Sequence, residues 1–103
     1  MKVTELITTL KQINAELPFE SSLTDGEVGP FCQHLTQIKF TAPDVELKFG
    51  DGQEIEITKA ISKIEDIAKD APANTLVSSK GDDGKQIVLQ KVYHNPPVTI
   101  LEF

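Results

Sequence analysis

The side chains in this sequence that could act as metal ligands, nucleophiles or general bases are one thiol and two imidazoles, which belong to Cys32, His34 and His94. Thiolate sulfur and imidazole nitrogen are common zinc ligands, but a structural zinc takes four ligands that tend to come in closely spaced pairs. Only Cys32 and His34 lie close together in the sequence. We therefore predict no metal site, and interpret these residues as a buried or half-buried thiol and two surface imidazoles.

The same residues admit a second chemistry, in which Cys32 is a nucleophile and His94 is its general base. Nucleophilic catalysis also needs a group that orients the base and a site that stabilises the oxyanion. The sequence contains no glycine-rich nucleophile elbow, phosphate-binding loop or dinucleotide fingerprint. We therefore predict no catalytic residue and no cofactor. A small-ligand-binding protein or minor enzyme, with His34 and Tyr93 also lining its pocket, is the alternative hypothesis.

Carboxylates form the other candidate group. Asp51, Asp82 and Asp83 each stand next to a glycine. Calcium binding requires six or more oxygen ligands from a shaped loop, and the spacing of an EF-hand loop is missing. Since Asp–Gly pairs are typical of tight turns, we interpret these aspartates as turn residues.

Apolar and charged residues alternate in segments 45–49 and 54–57, which is the period of strands with one wet and one dry face. A three-residue loop at 50–52 pairs Leu47 with Ile55 and keeps the aliphatic side chains on one side. The sequence thus predicts a β-hairpin over these two segments.

The predicted hairpin also places Glu46 opposite Glu56, on the solvent-facing side with Glu54. Like charges at opposed positions repel one another, although exposed charges interact weakly in salt. An ordinary solvated face explains this pattern; an acidic strip that meets a basic partner is the functional hypothesis. The residues predicted to bind such a partner are Glu46, Glu54, Glu56, Asp82 and Asp83.

Two segments have the period of amphipathic helices. The first covers about residues 4–16, with Thr4 as its predicted N-cap and an end at Leu17, before a proline. The second begins at Thr58 as its cap and ends before Pro72. The predicted apolar stripes consist of Val3, Leu6, Ile7, Leu10, Ile13 and Leu17 in the first helix, and of Ala60, Ile61, Ile64, Ile67 and Ala68 in the second.

The remaining apolar segments predict strands. Segment 35–41 is rich in β-forming residues, although a helix that begins at Pro30 remains open. The last segment, 98–103, is apolar on both faces, so we expect it inside a sheet or against a partner. The predicted strands outside the first hairpin are 19–23, 35–41, 75–79, 86–93 and 98–103, of which the third and fourth form a second hairpin.

The element order is helix, strands, helix, strands in 103 residues, which is the size of one domain. Because most connections have the composition of short turns, the sequence predicts an α+β fold. We expect a mainly antiparallel sheet built from hairpins, with two helices packed on one face. A single domain is predicted over residues 1–103.

Charge and composition narrow the function classes. The net charge is −6, from 16 acidic and 10 basic residues, and every base is a lysine. An acidic chain without arginine is a poor candidate for direct nucleic-acid binding. One cysteine permits no internal disulfide, and no apolar run approaches the ~18 residues of a membrane span. We therefore predict a cytoplasmic protein that does not act at a membrane.

Four features of the first forty residues follow one another: an amphipathic helix, a Leu-Pro boundary, an acidic glycine-containing loop and a strand. They are carried by Val3, Thr4, Glu5, Leu6, Ile7 and Leu10, then Leu17 and Pro18, then Asp25, Gly26 and Glu27, then Leu35, Thr36, Gln37 and Ile38. In this order they resemble the opening of a set of short, uncharacterised phage and prophage proteins. The resemblance implies a mobile-element origin and no catalytic residues, and covers less than half of the chain.

These features predict a non-enzymatic protein-interaction or regulatory module. Such a module binds a protein partner, or a second copy of itself, through a sheet edge or an acidic face. A phage accessory protein fits this description. A DNA mimic is a further possibility, but it needs carboxylates spaced like phosphates, and lysines interleaved with the acids argue against it.

Overall fold

The computed structural model describes residues 1–17, 20–26, 33–81 and 83–103. Within these ranges the chain forms two helices and a seven-stranded sheet with the strand order β5-β4-β3-β2-β1-β7-β6. The elements are α1 (Val3–Glu16), β1 (Ser22–Thr24), β2 (His34–Thr41), β3 (Asp44–Gly50), α2 (Ile57–Ala68), β4 (Val77–Lys80), β5 (Gln86–Val88), β6 (Lys91–Asn95) and β7 (Val98–Glu102). The predicted α+β class is confirmed.

The sheet is mixed, so the prediction of a mainly antiparallel sheet built from hairpins is wrong. Strand β1 pairs with β7 in parallel, and β3 pairs with β4 in parallel. The pairs β1–β2, β2–β3, β4–β5 and β6–β7 are antiparallel. Helix α2 lies in the connection between β3 and β4, and a crossover through a helix returns the chain in the same direction.

The sheet curls into a half-barrel. Its two edge strands, β5 and β6, are consecutive in the chain, with only Leu89 and Gln90 between them. The Leu89 N–H donates to the Val77 carbonyl at 2.8 Å, and the Gln90 N–H donates to the Glu102 carbonyl at 2.8 Å. One short segment therefore joins both ends of the sheet, which requires the strands between them to curve.

The predicted hairpin between segments 45–49 and 54–57 is wrong. Strand β3 pairs with β2 instead, so that Leu47 faces Ile38. Residues 53–55 are in neither a helix nor a strand, although Ile55 is buried as expected and its N–H donates to the Leu35 carbonyl at 2.8 Å. Strand β2 is eight residues long and one tight turn away, so it offers β3 more pairs than the shorter segment does.

The two predicted helices are confirmed, but their caps are not. Helix α1 begins at Val3 with Lys2 at the N-cap, and the Lys2 N–H donates to Glu5 Oε1 at 3.2 Å. Helix α2 begins at Ile57 with Glu56 at the N-cap. The Thr58 hydroxyl donates to Glu20 Oε1 at 2.7 Å and caps no helix.

The apolar stripes of both helices enter one hydrophobic core with the sheet. Its sheet residues follow the strand register: Val45 lies beside Val77, and Val92 lies opposite Leu101. The buried helix residues are Val3, Leu6, Leu10, Ile57, Ala60, Ile61 and Ile64, and Ile7, Ile13, Ile67 and Ala68 are partly buried against them. None of the described helices is long and apolar enough to cross a membrane.

The predictions for the remaining strands are confirmed in part. Strand β2 (His34–Thr41) confirms the predicted strand 35–41, whereas Pro30 and Phe19 lie outside the described residues. Segment 86–93 divides, because β5 pairs with β4 whereas β6 pairs with β7. The last segment forms β7, which lies between β1 and β6 inside the sheet, as its two apolar faces predict.

Candidate functional site at the carboxyl ends of four strands

Strands β1, β3, β4 and β7 run in the same direction. Strands β1 and β3 are both antiparallel to β2, and each has one parallel neighbour, β7 and β4 respectively. Their carboxyl ends therefore meet at one edge of the half-barrel. In open sheets with parallel strands, ligands bind at the carboxyl ends of the strands, so this edge is a candidate ligand-binding site.

A cleft lies at this edge, formed by two adjoining cavities of about 360 and 580 Å³. Both volumes fall in the range of sites that hold a small molecule or a few side chains of a partner. We call the two cavities together the strand-end cleft. They share Asp25, Phe49, Ser79, Lys80, Gly81 and Ile87; the first adds Gly26, Tyr93, Ile100, Glu102 and Phe103, and the second adds Gln33, Glu46, Leu47 and Lys48.

One wall of the cleft is apolar. The rings of Phe49 and Phe103 meet edge to face, with their centroids 5.7 Å apart and their planes at 82°. Ile87 of the edge strand β5 is 44% exposed beside them. Tyr93 also lines the first cavity, and the Lys91 ammonium lies 5.0 Å from the centre of its ring. Half-exposed aromatic and branched side chains gathered from separate strands are typical of binding surfaces.

A buried carboxylate belongs to the polar lining. Glu46 in β3 is 2% exposed, and the Lys39 Nζ lies 4.0 Å from its Oε2. Asp25 and Glu102 bring two further acids to the cleft, and Lys48 and Lys80 bring two bases. The polar lining thus contains three acids and two bases.

The four predicted binding residues that the structure describes do not lie together in one acidic strip. Glu46 is buried, whereas Glu54 and Glu56 lie with Glu20 beside the start of α2, around a separate groove of about 450 Å³. Asp83 accepts the Lys85 N–H at 3.0 Å. Asp82 lies outside the described residues.

The turn interpretation of Asp83 agrees with the backbone around it. Gly84 follows with φ of +79°, a conformation that favours glycine, and its N–H donates to the Gly81 carbonyl at 2.9 Å. The Asp83 carboxylate is therefore engaged in closing the turn between β4 and β5.

The two histidines have different polar neighbours. His94 Nδ1 lies 3.2 Å from Thr99 Oγ1, which lies 3.0 Å from the buried Ser21 Oγ. His34 Nδ1 lies 3.2 Å from Glu54 Oε2, close enough for an ion pair when the imidazole is protonated.

In the described part of the chain, neither histidine lines the strand-end cleft, although Tyr93 does. Cys32 lies outside that part, so its predicted approach to His94 stays a prediction. Among the residues with described positions, no three histidine, cysteine or acidic side chains are grouped as a metal ion would require.

Several lining residues were not predicted from the sequence. Ile87 and Lys80 stand beside a turn, and their approach to Phe103 depends on the curl of the sheet. The one local signal is the apolar last segment, which marks a buried strand whose end must lie near other strand ends.

Searches against protein-family models, curated proteins and solved structures found no match to this chain. The resemblance of the first forty residues to phage proteins therefore stays a prediction. The class of protein is defined by the fold: a small α+β domain with a mixed, curled sheet and a cleft at the carboxyl ends of its strands.

Proposed function

We propose that this chain is a non-enzymatic protein-interaction or regulatory module of the cytoplasm, and that it binds a segment of a protein partner in the strand-end cleft. The observation that carries the proposal is the apolar wall, in which Ile87 stands 44% exposed next to the half-buried Phe49 and Phe103. When a partner covers apolar side chains around a concave surface, the buried apolar area contributes favourably to the free energy of binding.

The composition supports a protein partner over a nucleic acid. A net charge of −6 without arginine opposes the approach of phosphates. The mixed lining of apolar and charged groups suits a peptide segment, which carries both kinds of side chain. A regulatory role in a phage or prophage rests on the resemblance of the first forty residues and is part of this proposal.

A photo-crosslinking experiment tests the site. A benzophenone amino acid replaces Ile87 in one variant and Thr8, an exposed residue of α1, in a control variant. Irradiation in an extract of the native host should give an adduct at position 87 that excess unlabelled chain suppresses, and no such adduct at position 8. Equal adducts at both positions, or none at 87, would contradict the proposed site. The adduct mass separates a second copy of this chain from a different protein.

A further inference from the structure

Strand β5 lies at one end of the sheet, and in the described part of the chain it pairs with β4 alone. Gln86 and Ile87 are exposed and Val88 is half-buried, so the outer side of this strand is accessible. An edge strand presents unpaired N–H and C=O groups, with which a strand of another chain can pair. The directions of these groups show where such a strand would bind.

The residues that flank β5 show which of its backbone groups point away from β4. The Gly81 N–H donates to the Lys85 carbonyl at 2.9 Å, and the Leu89 N–H donates to the Val77 carbonyl at 2.8 Å. Because hydrogen-bonded and non-hydrogen-bonded pairs alternate in an antiparallel ladder, only the middle residue of β5, Ile87, directs its backbone groups at β4. The first and last residues of the strand direct theirs to the open side.

The groups on the open side belong to Gln86 and Val88. The Val88 carbonyl accepts the Gln90 Nε2–H at 3.1 Å, whereas no described residue bonds to the two N–H groups or to the Gln86 carbonyl. The next outward N–H, that of Gln90, donates to the Glu102 carbonyl of β7 at 2.8 Å. The open side of β5 therefore faces the end of β7, where Phe103 lines the strand-end cleft.

One face of the sheet beside this edge is apolar. Ile87 pairs with Ser79, which shares a face with Val77, and Val77 lies beside Val45 on the face that carries Phe49. An apolar side chain opposite Ile87 on an added strand would therefore lie on the side of the apolar wall of the cleft.

The other face beside the edge is basic. Lys80 is the register partner of Gln86, and Lys48 lines the same cavity. Both lysines are exposed, and the ion pairs between described residues include neither of them. Lysines at a free edge disfavour a cationic or wholly apolar strand and favour one that carries a carboxylate. Because side chains alternate along an extended segment, one segment can present apolar groups to the first face and a carboxylate to the second.

We propose that the protein partner binds as an extended segment that adds a strand antiparallel to the open edge of β5. Its carboxylate lies beside Lys80, and the apolar side chains on either side of that carboxylate face the apolar wall. This inference rests on the proposed function and names the kind of segment that the partner offers. A second copy of this chain is the less favoured occupant, because two bodies with a net charge of −6 repel each other. The net charge acts on the whole partner during its approach, whereas the carboxylate acts only close to the lysines.

Titration with a blocked five-residue peptide tests this without a known partner. The probe has the order threonine, valine, glutamate, valine, threonine, and in ¹⁵N-labelled protein it should shift the backbone amides of Gln86 and Val88 saturably. Antiparallel pairing directs the glutamate N–H at β5 and the valine N–H groups away from it. Methylation of the glutamate nitrogen should therefore weaken binding by about tenfold or more, and methylation of the valine nitrogens should have little effect. Glutamine in place of the glutamate should weaken binding about threefold.

Two substitutions in the protein test the backbone and the charge separately. Val88→Pro removes an outward N–H and no bond to β4, so it should weaken binding of the probe by about tenfold or more. Its control, Val88→Ala, keeps that N–H and should bind nearly as the native chain does. Lys80→Gln should abolish the difference between the glutamate and glutamine peptides. Lys63→Gln, which removes an exposed charge from α2, should preserve that difference.

Three outcomes would overturn the inference. They are a valine-methylated peptide that binds no more tightly than the glutamate-methylated one, an unchanged affinity in Val88→Pro, and shifts of the Gln86 and Val88 amides on concentrating the protein alone. The last of these would assign the edge to a second copy of the chain.

Crosslinking at position 87 separates this failure from that of the proposed function. A partner captured equally well by Val88→Pro would leave the interaction module standing and reject strand addition. Probe binding at the edge of β5 without any captured partner would reject the protein-binding function and retain the edge as a site for extended peptides.

Discussion

At the scale of single residues, Glu46 depends on Lys39 more than Lys39 depends on Glu46. The carboxylate is 2% exposed, whereas the ammonium is 41% exposed and 4.0 Å away. If the carboxylate is removed, Lys39 turns to water at little cost. If the ammonium is removed, the buried charge loses its nearest opposite charge. The pair therefore contributes to stability mainly by reducing the cost of burying Glu46.

Neutralising each partner in turn should expose this asymmetry. Glu46→Gln is expected to leave the free energy of unfolding unchanged or to raise it by up to ~1 kcal/mol, because a buried charge disappears. Lys39→Gln is expected to lower it by roughly 0.5–1 kcal/mol. Urea unfolding of both variants measures the two changes. A loss of more than ~2 kcal/mol in Glu46→Gln would show that the charged carboxylate accepts hydrogen bonds on which the fold depends.

The hydroxyl of Thr99 is the centre of a second polar contact inside the protein. It lies between Ser21 Oγ at 3.0 Å and His94 Nδ1 at 3.2 Å, and both Ser21 and Thr99 are buried. Thr99→Val should destabilise the fold by about 1–2 kcal/mol, because buried polar groups lose a partner. Adding Ser21→Ala should cost less than the sum of the single substitutions, measured by a double-mutant cycle in urea. Strict additivity would show that the two hydroxyls do not interact.

Ile87 offers a test of the cleft that leaves the core intact. It is 44% exposed, and Phe40, which is 43% exposed, is a matched apolar residue outside the cleft lining. Ile87→Lys should remove capture of the partner, because it places a solvated charge on the apolar wall, and should change stability by less than ~1 kcal/mol. Phe40→Lys should leave capture intact. Affinity purification with each variant measures the difference, and equal losses would contradict the site.

At the scale of elements, Leu89 and Gln90 form a two-residue joint that connects β5 to β6 and fixes the curl of the half-barrel. Leu89 is fully buried there, and its N–H donates to Val77 of β4, while the next residue, Gln90, bonds to Glu102 of β7. The two strands that leave this joint carry Ile87 and Tyr93, and both residues line the first cavity of the cleft. The packing of one leucine therefore bears on both stability and the shape of the site.

Truncating Leu89 should affect both properties, whereas truncating a leucine elsewhere in the core should affect one. Leu89→Ala is expected to lower the free energy of unfolding by roughly 2–4 kcal/mol and to weaken capture of the partner in the fraction that stays folded. Leu10→Ala in α1, which is equally buried, should cost similar stability and leave capture of the partner unchanged. Unfolding curves and affinity purification measure these effects. Equal capture by both variants would reject the coupling between joint and cleft.

The elements also show what a sequence can reveal of this fold. The two helices are readable because the period of Leu6, Leu10, Ile61 and Ile64 is a local property. Strand partners depend on distant segments: β3 meets β2 and β4, and the predicted pairing of Leu47 with Ile55 used only the nearest turn. After Leu89 the chain changes its pairing partner from β4 to β7, and no glycine or proline marks this change in the sequence. The sequence therefore does not predict the directions of the strands or the curl of the sheet, which together form the cleft.

The candidate site was only partly predictable for the same reason. Glu46 and Tyr93 were singled out for their chemistry, and both line the cleft. The burial of Glu46 was not predictable, because it follows from pairing on both sides by β2 and β4. Ile87 and Phe103 are ordinary apolar residues in the sequence, and only the curled sheet brings them to one wall.

At the scale of the whole molecule, charge acts over a longer range than any contact. The net charge of −6 is spread over a body with extents of 33 × 32 × 22 Å. The Debye length is about 8 Å at physiological salt, so distant charges act on a partner mainly during its approach. Ile87 carries no charge, so it acts only after contact. Approach and retention of a basic partner should therefore depend on different residues.

Measured rates can separate these two contributions once the partner is captured. For the native chain, raising the salt concentration from about 0.05 to about 0.5 M should slow association by roughly tenfold or more, because steering by the net charge is screened. Ile87→Ala should speed dissociation and leave the salt dependence of association nearly unchanged, because it removes apolar contact and no charge. Glu16→Gln, which removes an exposed charge from α1, should leave dissociation unchanged. Surface plasmon resonance at several salt concentrations measures both rates. A dissociation rate that stays the same in Ile87→Ala would show that the apolar wall takes no part in holding the partner.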